Sequence, residues 1–258
     1  MIQSISFIGA GNVASHFAKA FFNADIQIDS ILSRRLSSAK RLAIPIKAKA
    51  TTSFNRLSKD SELYIIAVPD DTIEEVIFSL SHVLDHSAFI VHTSGATAMT
   101  VIHQRFNNAG IIWPPQSLSK QKDIDFSSVP ICCGASDASL NQVLLMLLKK
   151  VSIHVQLVND EQKSALHLAA VFANNFTNHM YHIAYDLCEK NKLDFSLLYP
   201  IIKETAQKII NEIPGTVQTG PASRDDVTTM KKHRALLREQ KGYKQLYSLI
   251  SKSIQDNR

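Results

Sequence analysis

The chain has 258 residues, a formal net charge of +5 at pH 7, and a composition with 45% hydrophobic and 20% charged residues. This length suits one medium-sized domain with a modest second domain, and the apolar content is sufficient for a packed core. The lysines and arginines are scattered, apart from short runs at Arg34-Arg35 and at 231–234, so the charge does not call for a nucleic-acid partner.

The sequence gives no sign of a membrane or secretory segment. No stretch approaches the roughly 18 apolar residues of a membrane-spanning helix, and no basic region precedes the first apolar run. The cysteines are Cys132, Cys133 and Cys188, which cannot form a paired disulfide framework. We therefore expect a cytoplasmic protein without a membrane contact.

The most informative pattern lies at residues 5–22. The apolar run Ile5–Ile8 leads into a glycine-rich segment, after which the apolar spacing becomes helical; the segment is Gly9, Ala10, Gly11, Asn12, Val13 and Ala14. This pattern predicts a strand, a tight turn and a helix N-terminus. Gly9 would form the turn, Gly11 would let the backbone approach a pyrophosphate, and Ala14 would allow close packing. The helix amides would hold the phosphates. The alternative is an ordinary glycine turn.

The second predicted strand, Ile28–Leu32, ends at Ser33, Arg34 and Arg35. An NAD site usually carries an Asp or Glu here, which binds the ribose 2′-hydroxyl, whereas arginine accommodates a 2′-phosphate. No carboxylate is present, and guanidinium groups offer planar, permanently charged donors to a phosphate. We therefore predict NADP rather than NAD. The alternative is a solvated basic turn at the start of a helix over 36–42.

The middle of the chain continues to alternate between strand and helix patterns. The run Leu63–Val68 is uninterrupted and apolar, as a central parallel strand covered on both faces requires. Further strands are predicted at 88–92, 111–113, 129–133 and 153–157, with helices over 73–80 and 139–150. The pattern predicts a doubly wound α/β sheet.

The second half changes character. Residues 160–190 contain no glycine or proline and predict one helix, followed by helices over 193–213, 224–239 and 243–254. We place a dinucleotide-binding domain at 1–158 and an all-helical substrate and dimerisation domain at 159–258.

Ligands of doubly wound sheets bind at the carboxyl ends of the strands. The first two strand ends would take the diphosphate and the adenosine. The next two would lie beside the nicotinamide; their residues are Val68, Pro69, Asp70, Ser94 and Gly95. His92 is either catalytic or a strand-end histidine bonded to backbone. Gln116 and Ser117 form part of a rigid turn or of a substrate loop.

The helix predicted over 160–190 carries the catalytic candidates. At 100° per residue, Lys163, His167, Asn174 and Asn178 fall within about 60° of one another, with Asn175 to one side. Asparagines inside an apolar helix suggest a polar cleft between the domains or hydrogen bonds at a subunit interface. His167 could exchange a proton, and Asn174 could orient a carbonyl group. Lys163 is a further candidate, or a surface charge.

Two other polar groups are less specific. His179 and His182 have the spacing of metal ligands but lack a clear third ligand, so we predict no metal site. Gln218 and Thr219 precede a glycine-proline turn and either line the cleft or are ordinary surface residues. Ser223 is the predicted cap of the next helix.

These motifs resemble a known family. The shared segments are Gly9–Ala14, Ala67–Asp70, His92–Gly95, Pro115–Ser117, Ala173–His179 and Gln218–Pro221. They are similar to bacterial Rossmann-like proteins that carry the domain of unknown function 2520, in the superfamily of 6-phosphogluconate dehydrogenase, ketopantoate reductase and pyrroline-5-carboxylate reductase. The resemblance implies NADP binding, a small-molecule substrate and a homodimer formed through the helical domain, but it names no substrate.

The chain departs from this superfamily at one position. β-Hydroxyacid dehydrogenases place a catalytic lysine one helical turn before an Asn-Asn pair, where this chain has Ala170 and Val171. Our leading hypothesis is therefore an NADP-dependent reductase of a small carbonyl or imine, with His167 as proton donor. The alternative is a dinucleotide-binding regulatory or scaffold protein without activity. The deazaflavin F420 is a third candidate, which Arg34 and Arg35 oppose if they contact a 2′-phosphate.

Overall fold

The computed structural model describes residues 2–119 and 124–257. The chain divides into two compact units, Met1–Phe172 and Ala173–Arg258. The sheet ends before residue 158, where we predicted the domain boundary, and the first part of the following helix belongs to the first unit. The boundary at 158 stays a prediction about folding units.

The first unit contains a sheet of eight strands in the order β3-β2-β1-β4-β5-β6-β7-β8. The strands are β1 (Ser4–Ile8), β2 (Gln27–Leu32), β3 (Lys49–Thr51), β4 (Leu63–Ile66), β5 (Phe89–His92), β6 (Asn108–Trp113), β7 (Ile131–Ala135) and β8 (Val155–Leu157). Neighbouring strands from β3 to β6 are parallel, β7 is antiparallel to β6, and β8 is parallel to β7. The doubly wound fold is confirmed. The chain reverses direction across the sheet beside β1, so a ligand crevice is expected at the carboxyl ends of β1 and β4.

Helices cover both faces of this sheet. They are α1 (Asn12–Asn23), α2 (Leu36–Ala43), α3 (Ile73–Leu80), α4 (Thr100–His103) and α5 (Ala138–Leu148). Successive strand residues point to opposite faces, so Phe7 packs in one apolar cluster with Phe17 of α1, while Ile8 packs in the other with Ile77 of α3. The strands are therefore buried on both sides, which explains their continuous apolar sequence.

Two short elements were not predicted from the sequence. Strand β3 has three residues and no apolar run, and it forms because its backbone pairs with β2. Helix α4 has four residues. Elements of this length carry too few residues to show a periodic pattern.

The helical half is more interrupted than predicted. The run over 160–190 consists of α6 (Asp160–Ala170), a π-helical segment (Val171–Phe176) and α7 (Thr177–Lys190). It is followed by a 3-10 turn (Phe195–Leu198), α8 (Tyr199–Asn211), a second 3-10 turn (Pro214–Val217), α9 (Val227–Leu236) and α10 (Lys241–Asp256). Within residues 2–119 and 124–257, no helix has the length and apolar character needed to cross a membrane.

The predicted cap at Ser223 is wrong. Asp226 caps α9 by accepting a hydrogen bond from the Thr229 amide at 2.9 Å. The hydroxyl of Ser223 instead donates to the Gly220 carbonyl at 3.1 Å, because the chain makes another turn first, with Asp225 at a φ of +54°.

Candidate functional site

The turn after β1 requires glycine at its first position. Gly9 has a φ of +117°, and a Cβ atom there would lie 2.1 Å from the carbonyl oxygen of Ala67. The Gly9 amide donates to the Leu32 carbonyl at 2.8 Å. The turn therefore ties together the ends of three strands, and no other residue type could approach the backbone after β4 so closely.

The N-terminus of α1 has the properties of an anion site. Gly11 is its N-cap residue, no described side chain caps it, and its first turn has no acidic residue. The first amides of a helix have no partner within the helix, and the helix dipole favours negative charge there. The fully buried Ala14 lets the helix pack against the sheet. This geometry fits a diphosphate group.

Asn12 and His16, one turn apart on α1, anchor the chain segment that follows β6. The Asn12 amide donates to the Leu118 carbonyl at 2.9 Å, and a His16 ring nitrogen lies 3.0 Å from the Ser119 carbonyl oxygen. These contacts hold the segment with the exposed Gln116 and Ser117 near the glycine turn. Asn12 therefore has a structural partner, while the partly buried Val13 packs against the core.

The carboxyl end of β2 presents two cations. Arg34 and Arg35 are exposed, and neither forms an ion pair with any residue in the described ranges. The first turn of α2 has no acidic residue to neutralise them. Ser33 is half-buried, and its amide donates to the Thr51 carbonyl at 3.0 Å. The arrangement fits a 2′-phosphate and offers no carboxylate to a 2′-hydroxyl.

Val68 lies beside the glycine turn at the end of β4. Its Cγ1 atom would be 3.4 Å from a Cβ atom at Gly9. Pro69 and Asp70 follow it and are exposed, and Asp70 begins a 3-10 turn. These predicted cofactor residues are therefore at the crevice edge of the sheet.

The histidine at the end of β5 is bonded to backbone on both sides of its ring. His92 accepts a hydrogen bond from the Ser94 amide at 3.2 Å through Nδ1 and donates to the Ala98 carbonyl at 3.3 Å through Nε2. Burial, together with a smaller contribution from the nearby charge of Lys163, lowers the pKa of His92 to about 4, so the ring is neutral at pH 7. These contacts favour a structural histidine over a catalytic one.

The loop after His92 is stabilised by hydrogen bonds among its own residues. The Ser94 hydroxyl accepts hydrogen bonds from the amides of Ala96 and Thr97 at 3.2 and 2.9 Å. It also donates to the Thr97 hydroxyl at 2.9 Å. Ser94 therefore shapes the loop, and its hydroxyl is already occupied.

Gly95 brings three distant parts of the first unit together. A Cβ atom at Gly95 would lie 2.8 Å from Nδ1 of His167 and 2.8 Å from Cε2 of Trp113. The His167 and Trp113 rings meet edge to face, with centroids 5.6 Å apart. The predicted cofactor residue Gly95 and the predicted catalytic residue His167 are thus neighbours. Trp113 was missed as a site residue, although it ends a strand at the same edge as β5.

Lys163 is buried rather than exposed. Its side chain has 0% exposure, donates to the Thr97 carbonyl and lies 3.2 Å from the Asp160 carboxylate. Helix α6 begins at Asp160 because Asn159 and Gln162 form a capping box with hydrogen bonds of 2.8 and 3.0 Å. Burial lowers the pKa of Lys163, and Asp160 opposes that shift. The surface-charge interpretation is therefore wrong.

The remaining candidates lie in the second unit. Asn174 and Asn175 are exposed and belong to the π-helical segment, where the 100° projection does not apply because the turn is wider. Gln218 and Thr219 are exposed, and the Gln218 amide donates to the Thr219 carbonyl at 2.9 Å. Their roles at a ligand site stay predictions. Across the described ranges, no three His, Cys, Asp or Glu side chains cluster as metal ligands.

Comparisons with known proteins agree with this architecture. The family model described as NADP oxidoreductase, coenzyme F420-dependent, matches residues 4–95, and the domain of unknown function 2520 matches residues 129–254. A "putative NADP oxidoreductase" from Bacteroides fragilis is 35% identical, with 99% of this chain and 98% of that chain covered and a TM-score of 0.89. No curated protein matches the chain.

Two further solved structures are similar. Protein TM1727 from Thermotoga maritima is 25% identical over 98% of this chain and 97% of that chain, with a TM-score of 0.75. An imine reductase from Myxococcus stipitatus in complex with NADP+ is 13% identical over 98% and 93% of the two chains, with a TM-score of 0.74, and shares the fold alone. The chain belongs to the family of Rossmann-like proteins that join an NADP-oxidoreductase domain to the domain of unknown function 2520.

Proposed function

We propose that this protein is an NADP-dependent oxidoreductase that transfers a hydride between the nicotinamide and a small carbonyl or imine substrate. The observation that carries the proposal is the pairing of a glycine turn that only glycine can form with two exposed, unneutralised arginines at the next strand end. A diphosphate suits the first feature and a 2′-phosphate the second. The family membership supports the same reaction class.

The cofactor would lie along the carboxyl ends of the strands. The amides at the start of α1 would bind the diphosphate, and Arg34 and Arg35 would bind the 2′-phosphate. The nicotinamide half would then extend toward Val68 and Gly95. When bound, NADPH supplies the hydride that the substrate carbon accepts.

His167 is the proposed proton donor. Its Nδ1 atom faces the Gly95 backbone, and the edge-to-face contact with Trp113 fixes the orientation of the ring. Histidine is the side chain that most often acts as a general acid, and we assign to His167 the protonation of the substrate oxygen or nitrogen as the carbon is reduced. Asn174 or Asn175 would orient the substrate. A substrate site in a cleft between the two domains is part of this proposal.

We also propose a homodimer formed through the helical domain. Several large apolar side chains of the second unit are exposed, and Ile210, Ile213 and Leu236 are each more than 70% exposed. Exposed apolar area of this kind marks an interaction surface. Light scattering of the purified protein tests this; a monomer at micromolar concentration would contradict it. The cytoplasmic location expected from the cysteines stays part of the proposal.

The second candidate is a dinucleotide-binding regulatory or scaffold protein. Its support is the absence of the superfamily lysine, since positions 170 and 171 are alanine and valine. Cofactor oxidation should be followed against ketoacids, ketones and cyclic imines. Turnover with any of these supports the reductase, whereas saturable NADPH binding without turnover supports the second candidate.

The arginine pair gives the test of cofactor choice. Replacing Arg34 and Arg35 by alanine should weaken NADPH binding roughly tenfold or more and leave NADH binding nearly unchanged, because only NADPH carries the 2′-phosphate. Arg41→Ala is the matched control, an exposed arginine of α2. Calorimetry with NADPH, NADH and reduced F420 measures the three affinities. Equal binding of NADPH and NADH by the native protein, or tighter binding of F420, would contradict the proposal.

A further inference from the structure

Two side chains in the first turn of α6 hold the loop at residues 94–99. The Asp160 carboxylate accepts a hydrogen bond from the Met99 amide, with its two oxygens at 2.8 and 3.1 Å. The Lys163 ammonium donates to the Thr97 carbonyl and pairs with Asp160. Helix and loop are more than sixty residues apart in sequence, with a separation of 66 for the lysine contact, so these are tertiary contacts.

The burial of Lys163 argues against an incidental contact. A buried ammonium group loses its hydration and is retained only where a charge and hydrogen bonds compensate it. Its neighbours Glu161 and Gln162 are exposed, so the same turn offers solvated positions for a polar residue. An apolar side chain at position 163 could fill the space but could not hold the Thr97 carbonyl.

The same helix carries Asp160, Lys163 and His167. Lys163 and His167 are one helical turn apart on α6, and the loop that Lys163 holds contains Gly95. Because a Cβ atom at Gly95 would already approach His167 within 2.8 Å, the loop and the imidazole have no spare room between them. The contacts of Asp160 and Lys163 hold Thr97 and Met99, two and four residues after Gly95, on the helix that carries His167.

We propose that Asp160 and Lys163 form a latch that positions the 94–99 loop, so that the nicotinamide ring is held beside His167. Lys163 is then a positioning residue rather than the proton donor. The role at the nicotinamide rests on the proposed function, whereas the latch itself does not depend on a cofactor.

Hydrogen exchange of the cofactor-free protein tests the latch. Lys163→Met keeps an unbranched side chain that reaches as far as the lysine Cε and removes the ammonium donor, so the amides in the 94–99 segment should exchange roughly tenfold faster. Asp160→Ala should have the same effect and takes the place of Lys163→Met in the test if that variant folds poorly. Lys163→Arg should retain part of the protection that Lys163→Met loses. Glu161→Ala is the matched control from the same turn and should change nothing. Unchanged exchange in both latch variants would overturn the latch.

Binding of two probes tests the role at the nicotinamide. NADPH carries the ring, whereas 2′-phospho-ADP-ribose shares the rest of the molecule and lacks it. Lys163→Met and Asp160→Ala should weaken NADPH roughly tenfold and leave the fragment unchanged. Equal weakening of both probes, or of neither, would overturn the positioning role. If the native protein binds neither probe, the proposed function and the nicotinamide role are both wrong, and hydrogen exchange still decides the latch.

Discussion

Two neighbouring parts of the crevice edge are built in different ways. At the ends of β1 and β2, backbone conformation and exposed charge dominate, with Gly9 at a positive φ and Arg34 and Arg35 in solvent. At the ends of β5 and β6, the groups are buried and hydrogen-bonded to the loop at residues 94–99, both His92 at the end of β5 and Lys163 on α6. The first part suits the phosphate groups of a cofactor. The second suits a nicotinamide ring, which needs a rigid surface from which water is largely excluded.

The largest expected effect on NADPH affinity comes from replacing Gly9 in the first region. Gly9→Ala places a Cβ atom 2.1 Å from a backbone oxygen at a φ of +117°, so the turn must distort. We expect a clear loss of stability and at least a roughly 100-fold loss of NADPH affinity. Thermal unfolding and calorimetry measure the two effects.

Gly11→Ala is the informative partner of that variant. A Cβ atom at Gly11 meets its nearest neighbour only at 4.0 Å, so the fold should tolerate it with a change of less than about 1 kcal/mol in the free energy of unfolding. NADPH affinity should still fall, because the methyl group would occupy the approach of the diphosphate. Undiminished NADPH binding by Gly11→Ala would place the diphosphate elsewhere. Gly242→Ala, with open space around it, is the control.

The second region is tested through His167. His167→Ala should lower turnover about 100-fold or more, because a positioned proton donor contributes that much, while the NADPH dissociation constant stays within about twofold. Steady-state rates and calorimetry separate the two quantities. His103→Ala is the control, an exposed histidine of α4. Full turnover in His167→Ala would exclude this residue as the proton donor.

The difference between the two regions also explains which features could be predicted from the sequence. The glycine turn and the arginine pair are local patterns, in which each residue type follows from the backbone or charge that the site needs. The fold class follows similarly from continuous apolar strands such as Leu63–Ile66. The fold class and the family are confirmed, whereas the cofactor roles of the glycine turn and of the arginine pair stay predictions.

The contacts at the ends of β5 and β6 could not be predicted from local sequence patterns. Lys163 lies in a first turn rich in polar residues, and nothing in its neighbours indicates that it is buried against Thr97. Trp113 is an ordinary strand residue until Gly95 and His167 are placed beside it. Such contacts depend on how distant segments pack, and a single sequence carries no signal for them.

A separate expected effect, on stability rather than on cofactor binding or turnover, is a pH dependence that arises from His92. Burial lowers the pKa of His92 from 6.5 to about 4 in the folded protein, so between these values the unfolded chain binds a proton that the folded protein does not. The stabilisation from the neutral ring is complete above pH 6.5 and is lost as the pH falls toward 4, by up to about 3 kcal/mol. Urea unfolding at a series of pH values measures this slope.

His92→Gln isolates the contribution of the imidazole. Glutamine can donate and accept hydrogen bonds but does not titrate, so the free energy of unfolding should fall less steeply between pH 6.5 and 4 than in the native protein. His103→Gln, at an exposed position, should keep the native slope. If His92→Gln kept it too, the ring would have to be protonated in the folded protein. Its Nδ1 atom could then no longer accept the Ser94 amide, and the loop that leads to Gly95 would need another means of support.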